Sequence, residues 1–165
     1  MKKLYCVLLL ALLLSGCAGE KTLETVMDVY DTQVMAQMKQ VLITLPPDAA
    51  TETLDNGENE RIYLCDGYTI TVQTLPGGDM EKTFRELTGF SKEQLTVIQR
   101  QDTDWKRYDC VWSAAGEGED LVARGTVLDD GSFHYAVTVS APFSVAGDLA
   151  QTWQNILSSV TLRTD

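Results

Sequence analysis

The chain carries one histidine, His134, in 165 residues. A metal centre built on several imidazoles, or a proton relay between histidines, is excluded by that count. A serine or cysteine nucleophile would have to use His134 as its base, and no G-x-S-x-G elbow occurs to present one. Cysteine is scarce too: Cys6 and Cys17 lie near the amino end, which leaves Cys65 and Cys110, and no CxxC redox motif forms. The longest apolar run, Leu4 to Leu14, has eleven residues and would reach roughly 16 Å as a helix, about half of a ~30 Å hydrocarbon core. Basic residues number 13 against 24 acidic ones. Such a surface repels phosphate backbones and anionic headgroups, which argues against nucleic acid and against a basic membrane patch.

What is present begins with Lys2, Lys3 and the apolar run, then Leu14-Ser15-Gly16-Cys17. Charge, apolar stretch and small residues in that order make an export signal. A small-residue pair that runs straight into cysteine resembles the bacterial lipoprotein signal with its lipobox, over Met1 to Cys17. The resemblance implies a thioether-linked diacylglycerol on Cys17, cleavage between Gly16 and Cys17, and a membrane anchor through lipid. The protein would then sit on the outer face of the cytoplasmic membrane, or on the outer membrane of a cell that has two. The competing reading is a plain signal peptide that ends near a cysteine. Two acyl chains, at ~0.8 kcal/mol per buried methylene, hold far more firmly than one myristoyl chain.

The expected organisation is a signal peptide over 1–16, a lipidated cysteine and short linker over 17–22, and one domain over 23–165. Without Lys2 and Lys3, eleven basic residues face 24 acidic ones, a net charge of −13. Cys65 and Cys110, an even pair in an oxidising compartment, invite a disulfide. Closing that 45-residue loop would stabilise by ~4 kcal/mol in the chain-entropy model. Two buried free thiols are the alternative.

Leu23, Met27, Tyr30 and Val34 recur at helical spacing, while Leu23, Thr25, Met27 and Val29 alternate like a strand, and both readings stand. Gln40 to Leu45 reads as a strand stopped by Pro46-Pro47, with a polar loop over Ala49 to Glu60. Asp66-Gly67 between Arg61–Cys65 and Tyr68–Leu75 is a two-residue hairpin signal that sets Cys65 against Tyr68 and Tyr63 against Ile70. Asp79 caps a helix with Met80, Phe84 and Leu87 on one side and Gly89 as its stop. Ser91 and Gln94 form a capping box before a strand over Thr96 to Arg100.

Three long strands are expected at Trp105–Ala114, Leu121–Leu128 and Phe133–Ala141. Keeping an apolar face together predicts a four-residue loop over Ala115–Gly118, with Trp112 opposite Leu121 and Cys110 opposite Ala123. The same reasoning predicts a three-residue loop at Asp129–Gly131, with Val127 opposite Phe133 and Gly125 opposite Tyr135, rather than a two-residue loop that would set Arg124 and Thr126 on the aromatic face. A closing amphipathic helix runs from about Ser144 to Ser159, with Leu149, Trp153, Ile156, Leu157 and Val160 at spacings of three and four.

These elements make an α+β domain, an antiparallel sheet of about six strands flanked by helices. Phe133 to Val139 followed by Trp153 to Val160 resembles the end of the PsbP-like family, where an aromatic strand precedes a helix with a short Ser-hydrophobic ending. That resemblance implies a PsbP-like sandwich. The family's members bind partners or have no known activity, so no catalytic residue carries over.

Candidate chemistry is thin. Cys65 and Cys110 fall at apolar strand positions, where thiols stay protonated. Asp120 and Asp129 stand roughly 30 Å apart along a straight strand, and Asp55 to Glu60 lacks EF-hand spacing, so no metal site and no cofactor is expected. Trp105 and Trp112, seven apart, face opposite ways, so one of them should lie outside the core as a partner surface unless a helix or the amino-terminal segment covers it. The expected function is non-enzymatic binding of a protein or cell-envelope partner; the second reading is a solute- or ion-binding pocket between sheet and helix. Replacing Cys17 with Ser should release the protein from membranes, read by fractionation of cells. A variant that stays membrane-bound would contradict the lipid anchor.

Overall fold

The computed structural model describes residues 37–51 and 59–163. The export signal, Cys17 and the undecided segment over 23–36 lie outside the described residues. The elements in chain order are β1 (Val41–Leu42), β2 (Ala50–Thr51), β3 (Glu60–Cys65), β4 (Tyr68–Pro76), α1 (Met80–Thr88), a 3₁₀ turn (Lys92–Gln94), β5 (Thr96–Gln101), β6 (Lys106–Ala114), β7 (Leu121–Asp129), β8 (Phe133–Pro142), α2 (Phe143–Ala146), α3 (Ala150–Ser158) and β9 (Thr161–Leu162). Seven strands form an antiparallel sheet in the order β2-β3-β4-β8-β7-β6-β5, and β1 pairs with β9 in a separate ribbon.

Local sequence chemistry sets several of these elements as expected. Gly67 takes φ 79° in the Asp66-Gly67 turn, and Cys65 pairs with Tyr68 and Tyr63 with Ile70. A two-residue turn needs that positive φ, which glycine adopts without steric cost. The Asp79 side chain accepts from the Glu81 N–H at 3.0 Å, and Gly89 ends α1 in the left-handed conformation. Ser91 and Gln94 close their capping box.

The amino-terminal strand is shorter than Gln40–Leu45 and stays out of the main sheet. It is stitched to the carboxyl-terminal end instead: Arg163 N donates to Gln40 O at 2.9 Å, and Thr44 N to Ser159 Oγ at 2.9 Å. The expected loop over Ala49–Glu60 begins with β2, whose Ala50 and Thr51 pair with Leu64 and Tyr63. That brings the main sheet to seven strands.

The sheet has two dry faces. On one, Ile70, Leu128, Tyr135, Val137 and Val139 pack against Trp153, Ile156 and Leu157 of α3. On the other, Tyr108, Cys110, Val127 and Ala136 surround Phe84 of α1. Each fully buried side chain of this size contributes about 1.5–3 kcal/mol by leaving water. This doubling explains the register that the sequence misleads on. Asp129 pairs with His134 and Leu128 with Tyr135, so Thr126 and Arg124 do lie on the aromatic face, opposite Val137 and Val139. The expectation of one apolar and one wet face selects the wrong parity, because Val127 and Gly125 turn to a second core rather than to water. Asp129 and Asp130 hold the turn, accepting from the N–H groups of Gly131, Ser132 and Phe133 at 2.8–3.0 Å.

Between β6 and β7 the parity is right and the register is off by two: Trp112 faces Ala123 and Cys110 faces Gly125. The loop is longer because it docks. Glu119 accepts from Ser144 N and Ser144 Oγ, and Asp120 O accepts from Phe143 N at 2.9 Å. Trp112 takes the room left by Gly125, where a Cβ would stand 3.2 Å from its ring. The expected single closing helix is two, broken over Gly147–Leu149, the glycine and its neighbours failing to carry the first turn through.

One side chain fixes α3 over the sheet. Arg107 donates to the carbonyls of Leu157 at 2.6 Å and Val160 at 3.2 Å, and to Asp109 Oδ1 at 3.1 Å and Thr126 Oγ1 at 3.1 Å. Thr126 in turn donates to Asp109 at 2.7 Å. The carbonyls at a helix C-terminus lack partners within the helix, and a guanidinium there meets both the orphan oxygens and the negative end of the dipole. Burial raises the Asp109 carboxyl, but hydrogen bonds from Arg100 and Thr126 and the charge of Arg107 outweigh it and hold the group below its ordinary value. A depressed carboxylate contributes stability above its unfolded pKa of about 3.9, and that contribution is lost as pH falls through the folded value. Arg107→Met should lower stability by about 2–3 kcal/mol in urea unfolding, less than for a fully buried pair because Asp109 keeps 23% exposure. Arg100→Met, at a 64% exposed side chain, should cost under about 1 kcal/mol. Equal effects would contradict the helix-holding role of Arg107.

Candidate functional site

The α3 helix packs on β7 and β8, and with nine residues it leaves the β5–β6 end of the same sheet face uncovered. Strand alternation turns Thr96, Ile98 and Arg100 of β5 to this side, with Arg107, Asp109 and Val111 of β6 and Arg124 of β7. Gln154, Leu157 and Ser158 of α3 make the opposite wall. The result is a groove of about 420 Å³. Ile98 is 60% exposed and Val111 44%, two of the few large apolar side chains left to water among the described residues. The outer edge of β5 pairs with no other described strand.

The groove's charge runs against that of the chain. Three arginines face one carboxylate, Asp109, in a protein of net charge −11. Asp109 is fully engaged by Arg100, Arg107 and Thr126. Arg107 is committed to the helix carbonyls. Arg124 has no carboxylate partner among the described residues; its guanidinium lies 5.9 Å over the Trp153 ring. Arg124 also lines a second cavity of about 370 Å³, beside Val122, Phe143, Gly147 and Trp153. Trp153 is 1% exposed, and its indole N–H has no acceptor among the described residues.

Residues singled out in the sequence sit elsewhere. Cys65 and Cys110 are free thiols on opposite faces, Cys65 with the α3 core and Cys110 with the α1 core. Three strands separate β3 from β6, roughly 19 Å at ~4.8 Å per strand, so the expected disulfide does not form. Burial pushes the Cys110 thiol up to about 12 and also raises Cys65, which keeps both protonated. Trp105 and Trp112 do face opposite ways, yet both are partly buried, one against each core. A sheet with two dry faces has no need to leave one of them outside.

His134 is 1% exposed, between the sheet and α1. Its Nδ1 shares a hydrogen bond with Thr83 Oγ1 at 2.6 Å, while Nε2 stands 3.7 Å from Asp129. Burial lowers its pKa against the opposing pull of Asp129, Asp130 and Asp79, so the ring is held neutral. It is a packed residue of the second core. Among the described residues no three His, Cys, Asp or Glu side chains come together as metal ligands.

The groove residues carried a faint signal in the sequence. Arg107, Asp109 and Val111 alternate with Tyr108, Cys110 and Trp112, and only the buried set draws attention by composition.

No protein-family model matches the chain, and no curated protein matches it. Solved structures do. A Bacteroides thetaiotaomicron protein superposes with TM-score 0.52 at 12% identity over 76% of this chain, which spans 46% of that one. The cyanobacterial PsbP of Synechocystis, CyanoP, gives TM-score 0.52 at 7% identity, covering 77% of this chain and 95% of its own. The Ran-binding protein Mog1p of Saccharomyces cerevisiae gives 0.50 at 12% identity, with 74% and 89% covered. At such identities the likeness speaks to architecture alone: the chain has the α+β fold of PsbP and Mog1.

Proposed function

We propose that the chain is a lipid-anchored extracytoplasmic lipoprotein that works by binding, without catalysis, a protein or cell-envelope partner, and that the groove between α3 and β5–β6 is its binding face. The observation that carries this is Ile98 and Val111 exposed side by side with an arginine cluster on an otherwise acidic chain. Apolar surface rimmed by polar groups marks interaction sites. The outer edge of β5, unpaired among the described residues, adds backbone donors and acceptors to the same place. The anchor itself rests on the resemblance of Leu14 to Cys17 to a lipobox. Burial keeps the one histidine neutral and the two domain thiols protonated, which suits packing rather than chemistry.

The second reading, a solute pocket between sheet and helix, is favoured by one feature, a groove volume within the roughly 300–1,000 Å³ of small-molecule sites. Both readings place the ligand on the same face. A photo-crosslinking amino acid at Ile98 or Val111, expressed in the native cell, should give discrete partner adducts. The same group at Leu64, 46% exposed on the opposite sheet face, should not. Adducts from Leu64 alone, or equally from all three, would contradict the assignment of the binding face.

A further inference from the structure

The groove's chemistry narrows what it can hold. Its one carboxylate is engaged, two of its arginines are committed to that carboxylate or to carbonyls at the end of α3, and among the described residues the guanidinium of Arg124 has no anion. Arg124 stands directly across from Val111 in the β6–β7 register, and Ile98 lies one diagonal step further, across from Asp109. Cationic and apolar surface are therefore contiguous, within the ~4.5–8 Å reach of cross-strand neighbours. Stacking on Trp153 limits the freedom of Arg124, so less entropy is lost when it binds. A planar fork of donors beside an apolar strip matches a bidentate oxyanion joined to a hydrocarbon or ring.

We propose that the groove binds an amphiphilic anion, its carboxylate or phosphate headgroup held by Arg124 over Trp153 and its apolar body laid along Ile98, Val111 and Leu157. This rests on the reading of the groove as the binding face. The anion supplies the charge that the groove lacks, and the apolar body covers the side chains left exposed. A neutral amphiphile would cover the same strip and leave the guanidinium unpaired beneath it, which disfavours it by the cost of an unmet charged donor.

The full-length chain carrying Cys17→Ser is titrated calorimetrically with dodecanoate and with dodecyl phosphate, both below micelle concentrations, and with dodecyl maltoside as the neutral probe. Saturable binding of either anion is expected, with the maltoside at least about ten-fold weaker; the tighter of the two anions identifies the headgroup. Arg124→Gln should weaken anion binding by about ten-fold or more and leave the maltoside unchanged. Ile98→Asn, at an exposed position that leaves the fold intact, should weaken all three. Thermal unfolding of each variant verifies that it is folded. Equal affinity for neutral and anionic probes, no effect of Arg124→Gln, or no saturable binding of any probe would overturn the proposal. Were it overturned while crosslinks from Ile98 still captured a partner, the binding face would stand and only the ligand class would fall.

Discussion

Arg107 is the interaction on which the arrangement of this molecule turns. A short terminal helix has few ways to fix its angle on a sheet, and apolar packing through Trp153, Ile156 and Leu157 is non-directional. The guanidinium supplies direction. It reaches from the start of β6 to the carbonyls of Leu157 in the last turn of α3 and of Val160 just beyond it, and is itself braced by Asp109 and Thr126 from two strands. The geometry that results leaves α3 over β7 and β8 and the β5–β6 end bare. Groove and latch are thus one structure: the residues that hold the helix also form the groove's floor. An ion pair in such a place costs desolvation, and the added hydrogen bonds to Thr126 and to the carbonyls of Leu157 and Val160 are what offset it.

How much of this can be read from the residues depends on whether the signal is local. Asp66-Gly67, Asp79, Gly89 and the Ser91–Gln94 box act within a few residues, and the structure carries each where the sequence implies it. The order of elements and the α+β class follow from period and turn chemistry. Register failed where the argument needed something non-local. Reading β7 and β8 as one apolar and one wet face is sound for a sheet covered on one side; here α1 and α3 cover both, and Thr126 and Arg124 find partners on the aromatic face. The β6–β7 register was misplaced by two residues because the loop's length is set by docking on Ser144, 25 positions from Glu119, and on Phe143, which turn rules do not see.

The site was the least legible part. Tryptophan and cysteine draw the eye in a sequence because they are rare, and in this protein they serve the two cores. The groove is built from arginine, isoleucine and valine on the less conspicuous parity of β5 and β6, and becomes visible only when three strands and a helix are assembled. The fold shared with PsbP and Mog1 supplies a scaffold and says nothing about which face is used. That assignment comes from exposure and charge on this chain: an acidic body, a cationic recess, and apolar side chains open to water beside it.

The most direct test of the groove as the occupied face is hydrogen exchange on the full-length protein, compared with and without a solubilised extract of its own cell envelope. The account requires slowed exchange in β5, over Thr96–Gln101, and in the last turn of α3, with the β3 face around Leu64 unchanged. Protection that appears around Leu64 and leaves β5 as fast as in the free protein would contradict it.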